Sequence, residues 1–512
     1  MEQVKAPEHH HHITADKDRI PVFQKAIYGV GALVNSLQAA AIGAMVIVLN
    51  LGLGINPALV GLVGFIPRIV DAILDPLVGY TSDNIRTRYG RRRPFIFFGA
   101  IAAGILYVLM FQLYKGHSEM FYVVYFLGFQ ILFFIGFTCY SIPWIALGYE
   151  MTPDYHERTR LQGYSNFIAQ IAWVIAPWFF KIMNNKNLFP DIIHGARGIA
   201  LCIGIFIVVG GILPAIFNKE YFGNLPKPKR EKGGLNTLKD FLKGVGITFK
   251  CKPFVKLCAA TFLIFNGFML ASAFSAYVIF FYVYGGSESL DAAYSSGGTL
   301  LGWFGSISSV CTFCVIFLVT WIATHIGKRK TFLIAISLSI IGYALKWIGY
   351  DPNQPYLLLI AAPFIAFGLG SLFTLVNSMV ADVCDLDELQ TGTRREGMFG
   401  AIYWWMVKLG LAVTSLISGF LLNASGFNVE LGLNQTASAL LKMRIFDIGI
   451  PIVTSLAAIF IIMTFGISED KAYEIRAQVE RRRAERRAEE GRRKEKRRLE
   501  EGRRREERRE AQ

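Results

Sequence analysis

The chain is 512 residues long, 53% hydrophobic and only 18% charged, whereas a soluble protein of this size carries about a quarter charged residues. Its net charge of +15, in so apolar a chain, belongs to loops that face anionic lipid, which sets nucleic acid aside as a partner. The apolar residues fall into blocks of about 20 or more, enough to cross a hydrocarbon core ~30 Å thick. Unpaired backbone groups are too costly in lipid, and continuous blocks lack the alternation of a barrel, so these are helices.

In chain order, residues 1–24 form a polar cytoplasmic tail without the short apolar core and small-residue cleavage site of a signal peptide. Spans are expected near 25–51, 57–82, 94–115, 119–149, 158–183 and 196–218, a six-helix half over 25–218. A polar linker over 219–252 follows, in which Leu235–Lys250 sets Leu and Phe at helical spacing opposite Lys, as in an amphipathic helix lying on a membrane face. A second half over 253–468 has spans near 253–285, 297–325, 329–350, 355–384, 394–423 and 436–468. The tail 469–512 is dominated by Arg and Glu with acid–base pairs three or four apart; without apolar a/d positions it is expected to be solvated rather than docked. The seven cysteines lie mostly in apolar spans, and Cys311 and Cys314 read as packing inside a helix.

Loop charges orient the spans. Arg86, Arg88, Arg91, Arg92 and Arg93 follow the second, Arg158 and Arg160 the fourth, and Lys328, Arg329 and Lys330 the eighth; alternate loops at 51–56, 285–298 and 351–354 hold no Lys or Arg. Both termini are therefore expected on the cytoplasmic side. The chain also repeats itself. The sequence Tyr-Gly-Arg-Arg-Arg-Pro-Phe at 89–95 recurs as Ile-Gly-Lys-Arg-Lys-Thr-Phe at 326–332. Acids at a helix exit (Glu150 and Asp154; Asp382, Asp385, Asp387 and Glu388) are each followed by bases opening the next helix (Arg158 and Arg160; Arg394 and Arg395). Two six-helix halves in the same orientation give this pattern.

The stretch Arg68-Ile-Val-Asp71-Ala-Ile-Leu-Asp75-Pro76 lies inside the second span. Asp71 and Asp75 are four residues apart and share a helical face. A charge at such depth costs about 3 kcal/mol or more and marks a functional site. Two carboxylates together need a cation or a proton, which makes the pair a cation site; a salt bridge to Arg68, or to Lys408 in the eleventh span, is the competing structural role.

This R-x-x-D-A-x-x-D-P pattern, the following Gly79, and Lys408 in Met406-Val-Lys-Leu-Gly410 resemble the glycoside–pentoside–hexuronide:cation symporters, the melibiose permease family of the major facilitator superfamily. So do Ala381–Leu389 and Thr393–Met398, while Arg88–Ile96 is similar to a loop of the plant sucrose transporters. The resemblance covers about 25–468. It implies an all-α fold of twelve spans in two halves, and it implies that Asp71 and Asp75 couple a cation, with Thr138 beside it, Lys408 as the family's eleventh-helix lysine, and Arg68 nearby. Where the melibiose permeases have an asparagine before the second acid, this chain has Leu74, which offers no oxygen; a hard cation wants several, so the coupling ion, H+ or Na+, is more readily a proton. The galactoside-holding acids of that family align with Ser36 and Ser141, and its fifth-helix arginine with Asn166, which speaks against melibiose-like specificity.

Neutral and aromatic groups suited to a polyol remain for a substrate site: Asn35, Ser36, Gln38, Ser141, Trp144, Asn166, Gln170, Asn266, Asn377 and Trp404. The superfamily's cytoplasmic loop signature implies a latch from Asp83, Arg91, Arg92, Glu150, Arg158, Asp382 and Arg394. The expectation is a monomeric, multi-pass symporter of a sugar or glycoside in a cell membrane (a bacterial inner membrane), working by alternating access without a cofactor or resident metal. A lipid-like or other non-sugar solute on the same fold is the alternative. An enzyme would need a catalytic constellation or folded soluble domain, and neither is present in the sequence.

Overall fold

In the computed structural model the described residues are 19–85, 87–152, 154–220, 246, 248–391, 395–467, 469–485, 489 and 492. Arg394 and most of the stretch expected to be amphipathic, Leu235–Lys250, lie outside them. Each of the twelve apolar blocks is a helix long enough to cross a membrane. They are α1 (Val22–Leu51), α2 (Pro57–Asp83), α3 (Arg93–Met110), α4 (Glu119–Glu150), α5 (Glu157–Met183), α6 (Ile192–Phe217), α7 (Lys252–Val283), α8 (Leu290–Ile326), α9 (Lys328–Gly349), α10 (Pro355–Thr391), α11 (Met398–Ser425) and α12 (Ala437–Met463).

The loops supply the caps that start these helices. Asn56, just before Pro57, accepts from the Ala58 N–H at 2.9 Å, and Asp154 accepts from Glu157 at 2.8 Å, each satisfying an otherwise orphaned donor. Ser289 accepts from Ala292, which moves the start of α8 to Leu290, seven residues ahead of the apolar run. α10 runs on to Thr391, so the acids Asp382 to Glu388 sit inside a helix rather than at its exit. Pro177 lacks an N–H, and α5 tightens to a 3-10 turn over Ala176–Trp178. The carbonyls of Trp173 and Val174 beside it receive hydroxyls of α8, Ser309 at 3.0 Å and Ser306 at 2.7 Å.

The repeat is visible in the packing. α1 packs on α5 and α6, α2 on α4, and α3 on α4 and α6; shifted by six, α7 packs on α11 and α12, α8 on α10, and α9 on α10 and α12. Each half also closes its basic loop in the same way. In the first, Gly90 at φ +113° turns the chain so that the N–H groups of Arg91, Arg92 and Arg93 donate to the Glu220 carboxylate at 2.7–3.1 Å. Arg93 in turn donates to the Ala215 and Ile216 carbonyls ending α6. In the second, Gly327 at φ +85° lies beside the Glu469 carboxylate, and Arg329 donates to the Ile462 and Met463 carbonyls ending α12.

The halves join along α2–α11 and α5–α8. One apolar core cluster fills the first half and continues into the second at the ends of α7, α8, α11 and α12 that lie away from the basic loops. A second cluster, residues 254 to 479, belongs wholly to the second half, toward the basic loops. Tyr277 of α7 donates to Asn50 Oδ1 of α1 at 3.1 Å, Phe180 stacks on Phe280 with centroids 4.5 Å apart, and Lys186 pairs with Asp291, all at the end opposite the basic loops. The bundle is thus closed at that opposite end and divided toward the basic end.

The tail departs from its expectation. Residues 469–485 form a further helix, α13, whose Ala472, Ile475 and Val479 recur at i, i+3 and i+7. Ile475 and Val479 are buried in the core of the second half. Arg483 pairs with Glu388 of α10, and Arg482 donates to the Leu389 carbonyl. Three small apolar residues among many Arg and Glu make a stripe too narrow for a heptad reading, yet wide enough to dock.

Candidate functional site

α2 carries Asp71 and Asp75 one turn apart, between Pro67 and Pro76, and the face they share meets α11. The two backbones approach closely: a Cβ on Gly61 would stand 2.7 Å from the Ser415 carbonyl oxygen, so only glycine fits there. That approach brings Lys408 of the second half over the acids of the first. Its Nζ lies 2.5 Å from Asp75 Oδ2 and 3.0 Å from Asp71 Oδ2, and Thr138 of α4 donates to Asp71 Oδ1 at 2.8 Å. Asp71 is fully buried, while Asp75 and Lys408 each keep 24% of their side-chain surface.

Two carboxylates face one ammonium, so the fully ionised site carries a formal charge of −1. Asp71 Oδ2 is near Nζ but outside hydrogen-bonding geometry, and neither it nor Asp75 Oδ1 accepts a hydrogen bond. Buried carboxylate oxygens left this way are costly, and both costs fall when a proton or cation arrives. Of the two counter-ions weighed from the sequence, Lys408 is the one in contact. Arg68 lies with its guanidinium 4.8 Å from the centroid of the Phe134 ring.

The polar groups expected at a substrate are spread more widely. Asn166, Asn377 and Trp404 are exposed; Asn377 donates to the Phe373 carbonyl at 2.7 Å, and Trp404 stacks on the Phe373 ring. Gln170 donates across the halves to the Ser309 carbonyl at 3.2 Å. Asn35 and Ser36 are half-buried and Ser141 is buried. Three more are buried like Ser141. Gln38 is fully buried and donates within its own helix to Val34. Trp144 stacks on Tyr28 at 4.8 Å inside the first half. Asn266 is buried, with its amide donating to Phe262 and its oxygen accepting from Thr414 at 2.5 Å.

The described groups among those expected to latch the halves are paired within their own halves. Arg92 bonds Asp83, Glu150 (3.0 Å) and Ser82 (2.8 Å), and Arg91 also pairs with Glu150. Arg158 donates to the Thr152 carbonyl at 2.8 Å, and Lys328 holds both Asp382 oxygens at 2.8 Å. Two buried ion pairs were passed over in the sequence. Lys25 meets Glu157 at 2.6 Å, and Lys346 of α9 meets Asp447 of α12 at 2.6 Å with side chains 1% and 0% exposed. Lys346 lies in the last turn of α9, and Asp447 follows Lys442 and Arg444 on α12, so neither stands out in sequence as an isolated buried charge.

Residues 27–469 match the family model described as MFS/sugar transport protein. The chain is 25% identical to the glucuronide carrier protein homolog of Escherichia coli (strain K12), covering 89% of this chain and 95% of that one. It is 23% identical to the sodium-dependent lysophosphatidylcholine symporter 1 of Gallus gallus, covering 92% and 91%. Among solved structures it resembles a bacterial homolog of the human lysosomal transporter Spinster in an inward-facing, unoccupied conformation, with a TM-score of 0.61 at 15% identity over 87% of this chain and 97% of that one.

Proposed function

We propose that this chain, which belongs to the MFS/sugar transport protein family, moves a sugar or glycoside together with a cation by alternating access, and that Asp71, Asp75 and Lys408 perform the coupling. The observation that carries the reading is the ion pair itself. Lys408 sits on the second half and both acids on the first, so one cluster is at once the cation site and a strut between the moving parts. A positive charge arriving at Asp75 competes with Lys408 for its oxygen and weakens the strut; its departure restores it. Cation movement and rocking of the halves are then one event.

Thr138 keeps Asp71 oriented, leaving Asp75, the more exposed acid, as the loading position. A proton is the favoured ion. Leu74 gives no oxygen on this face, whereas sodium would need several, and a proton needs only the free Asp75 Oδ1. Asn35, Ser36, Ser141, Asn166, Gln170, Asn377 and Trp404 remain as substrate contacts of a kind suited to hydroxyls and ring faces. Gln38, Trp144 and Asn266 shape the walls. The latch groups Asp83, Arg91, Arg92, Glu150, Arg158, Asp382 and Arg394 exchange partners across the halves when the basic end closes. The basic end faces the cytoplasm of a cell membrane, a bacterial inner membrane, and the working unit is a monomer, since one chain holds both halves and the site between them.

A lipid-like solute is the second reading. It is supported by the likeness to the lysophosphatidylcholine symporter and by the replacement of sugar-holding acids with Ser36, Ser141 and Asn166. Purified protein in vesicles, offered labelled glycosides and a labelled lysophospholipid under an imposed proton or sodium gradient, separates the readings. Accumulation of a glycoside driven by a proton gradient is expected. Uptake of the lysophospholipid alone would overturn the sugar reading, and uptake indifferent to both gradients would overturn coupling.

A further inference from the structure

The second buried ion pair is built unlike the first. Each oxygen of Asp447 has two partners: Oδ1 meets Lys346 Nζ at 2.7 Å and Ser275 Oγ at 3.0 Å, and Oδ2 meets Nζ at 2.6 Å and the Tyr350 hydroxyl at 2.8 Å. Lys346 also donates to Ser275 Oγ at 2.8 Å. One acid balances one base and no carboxylate oxygen is left open, so the cluster has no room or charge for a transported cation. Replacing such a pair by apolar groups is commonly neutral or stabilising. What it supplies is a fixed geometry, and the element it fixes is α7.

α7 is held from two sides within three residues. Ser275 is bonded to α9 and α12, the outer helices of its own half; Tyr277, about 200° round the helix, donates to Asn50 of the other half. Immediately beyond, α7 widens into a π turn over Ile279–Val283. There Phe280 closes against Phe180 of the other half with centroids 4.5 Å apart, while Phe281 packs on Phe427 of its own half at 4.9 Å. The last two turns of α7 thus form part of the closure at the opposite end, and the ion pair grips the helix just below it. We propose that Lys346 and Asp447 are positioning residues of this gate. Through Ser275 they set the depth and rotation of α7, and so hold Tyr277 on Asn50 while that end is closed. The inference rests on alternating access but not on the identity of substrate or ion.

Ser415→Cys, in a chain whose native cysteines are replaced, reports opening, because Ser415 packs on Gly61 and Gly64 along α2–α11. Its labelling by a membrane-impermeant maleimide from the side of loop 52–56 is followed in vesicles. Tyr277→Phe, Ser275→Ala and the double variant Lys346→Met/Asp447→Leu should each label about five-fold faster, the population shift of roughly one net hydrogen bond. Adding Tyr277→Phe to either of the others should give no further increase. Ser275→Ala removes only a hydroxyl, so the test survives if the double variant does not fold. Unchanged labelling in Ser275→Ala, or an effect additive with Tyr277→Phe, overturns the positioning role. An unresponsive Tyr277→Phe overturns it by removing the gate contact itself. A Ser415→Cys parent that is never labelled from that side refutes alternating access instead.

Discussion

Replacing Asp75 with Asn preserves its size and removes one titratable charge from the site. What remains is Asp71 against Lys408, 3.0 Å apart, one acid to one base, with Thr138 still donating to Asp71. The formal charge rises from −1 to zero, and with it goes the demand for a further cation. One charge crossing a membrane at 100 mV is worth about 2.3 kcal/mol, which supports a concentration ratio of roughly 50-fold at equilibrium. In energised vesicles the unaltered chain should approach that ratio, and Asp75→Asn should fall to about one. Exchange of internal for external substrate should survive, because the neutral groups at the substrate are untouched. Both are measured with one labelled glycoside, with and without an imposed potential. Accumulation that persists in Asp75→Asn would refute the assignment of the coupling charge. Loss of exchange as well as accumulation would show that Asp75 binds substrate.

Leu74→Asn restores an oxygen beside the acids and should raise the sodium dependence of uptake; dependence on sodium already present in the unaltered chain at constant pH would contradict the proton assignment. Removing 486–512 should leave uptake unchanged. Removing 469–512 should cost roughly 3 kcal/mol, from uncovering the partners of Ile475 and Val479, and should lower the melting temperature measurably; an unchanged melting temperature would mean that α13 adds nothing to the core. A cysteine placed within 287–296 should label only from the side away from the termini, and labelling from their side would invert the topology.

Much of this architecture could be read from residue order because lipid leaves so few options. Blocks of apolar residues had to be helices, and the doubled Gly-basic loop gave the repeat that the packing then displays pair by pair. Asp71, Asp75 and Lys408 stood out for the same reason, since an unexplained charge in an apolar span is rare. The cavity polars did not sort as cleanly. A polar side chain in a span can face a substrate or be satisfied by its own preceding turn, as Asn266 is by Phe262, and residue order alone does not separate the two. Lys346 and Asp447 are 101 residues apart, and nothing local announces that each is the other's partner. α13 was hidden by composition: the 27 Arg and Glu residues of 469–512 obscured the few apolar ones that decide where the helix lies.

The matched loop closures bear on how the chain is made. Glu220 follows the last helix of the first half, and Glu469 follows the last helix of the second. Each carboxylate therefore leaves the ribosome after every helix it helps to fasten. Protein segments commonly fold as units in order of synthesis. The first half can thus be sealed by its own final residue while the second is still being inserted, before Lys408 exists to neutralise Asp71 and Asp75. During that interval the base near the two acids is Arg68 of their own helix, which lies against Phe134. On this account the two acids pass through part of biogenesis without the strut that later ties them to the second half.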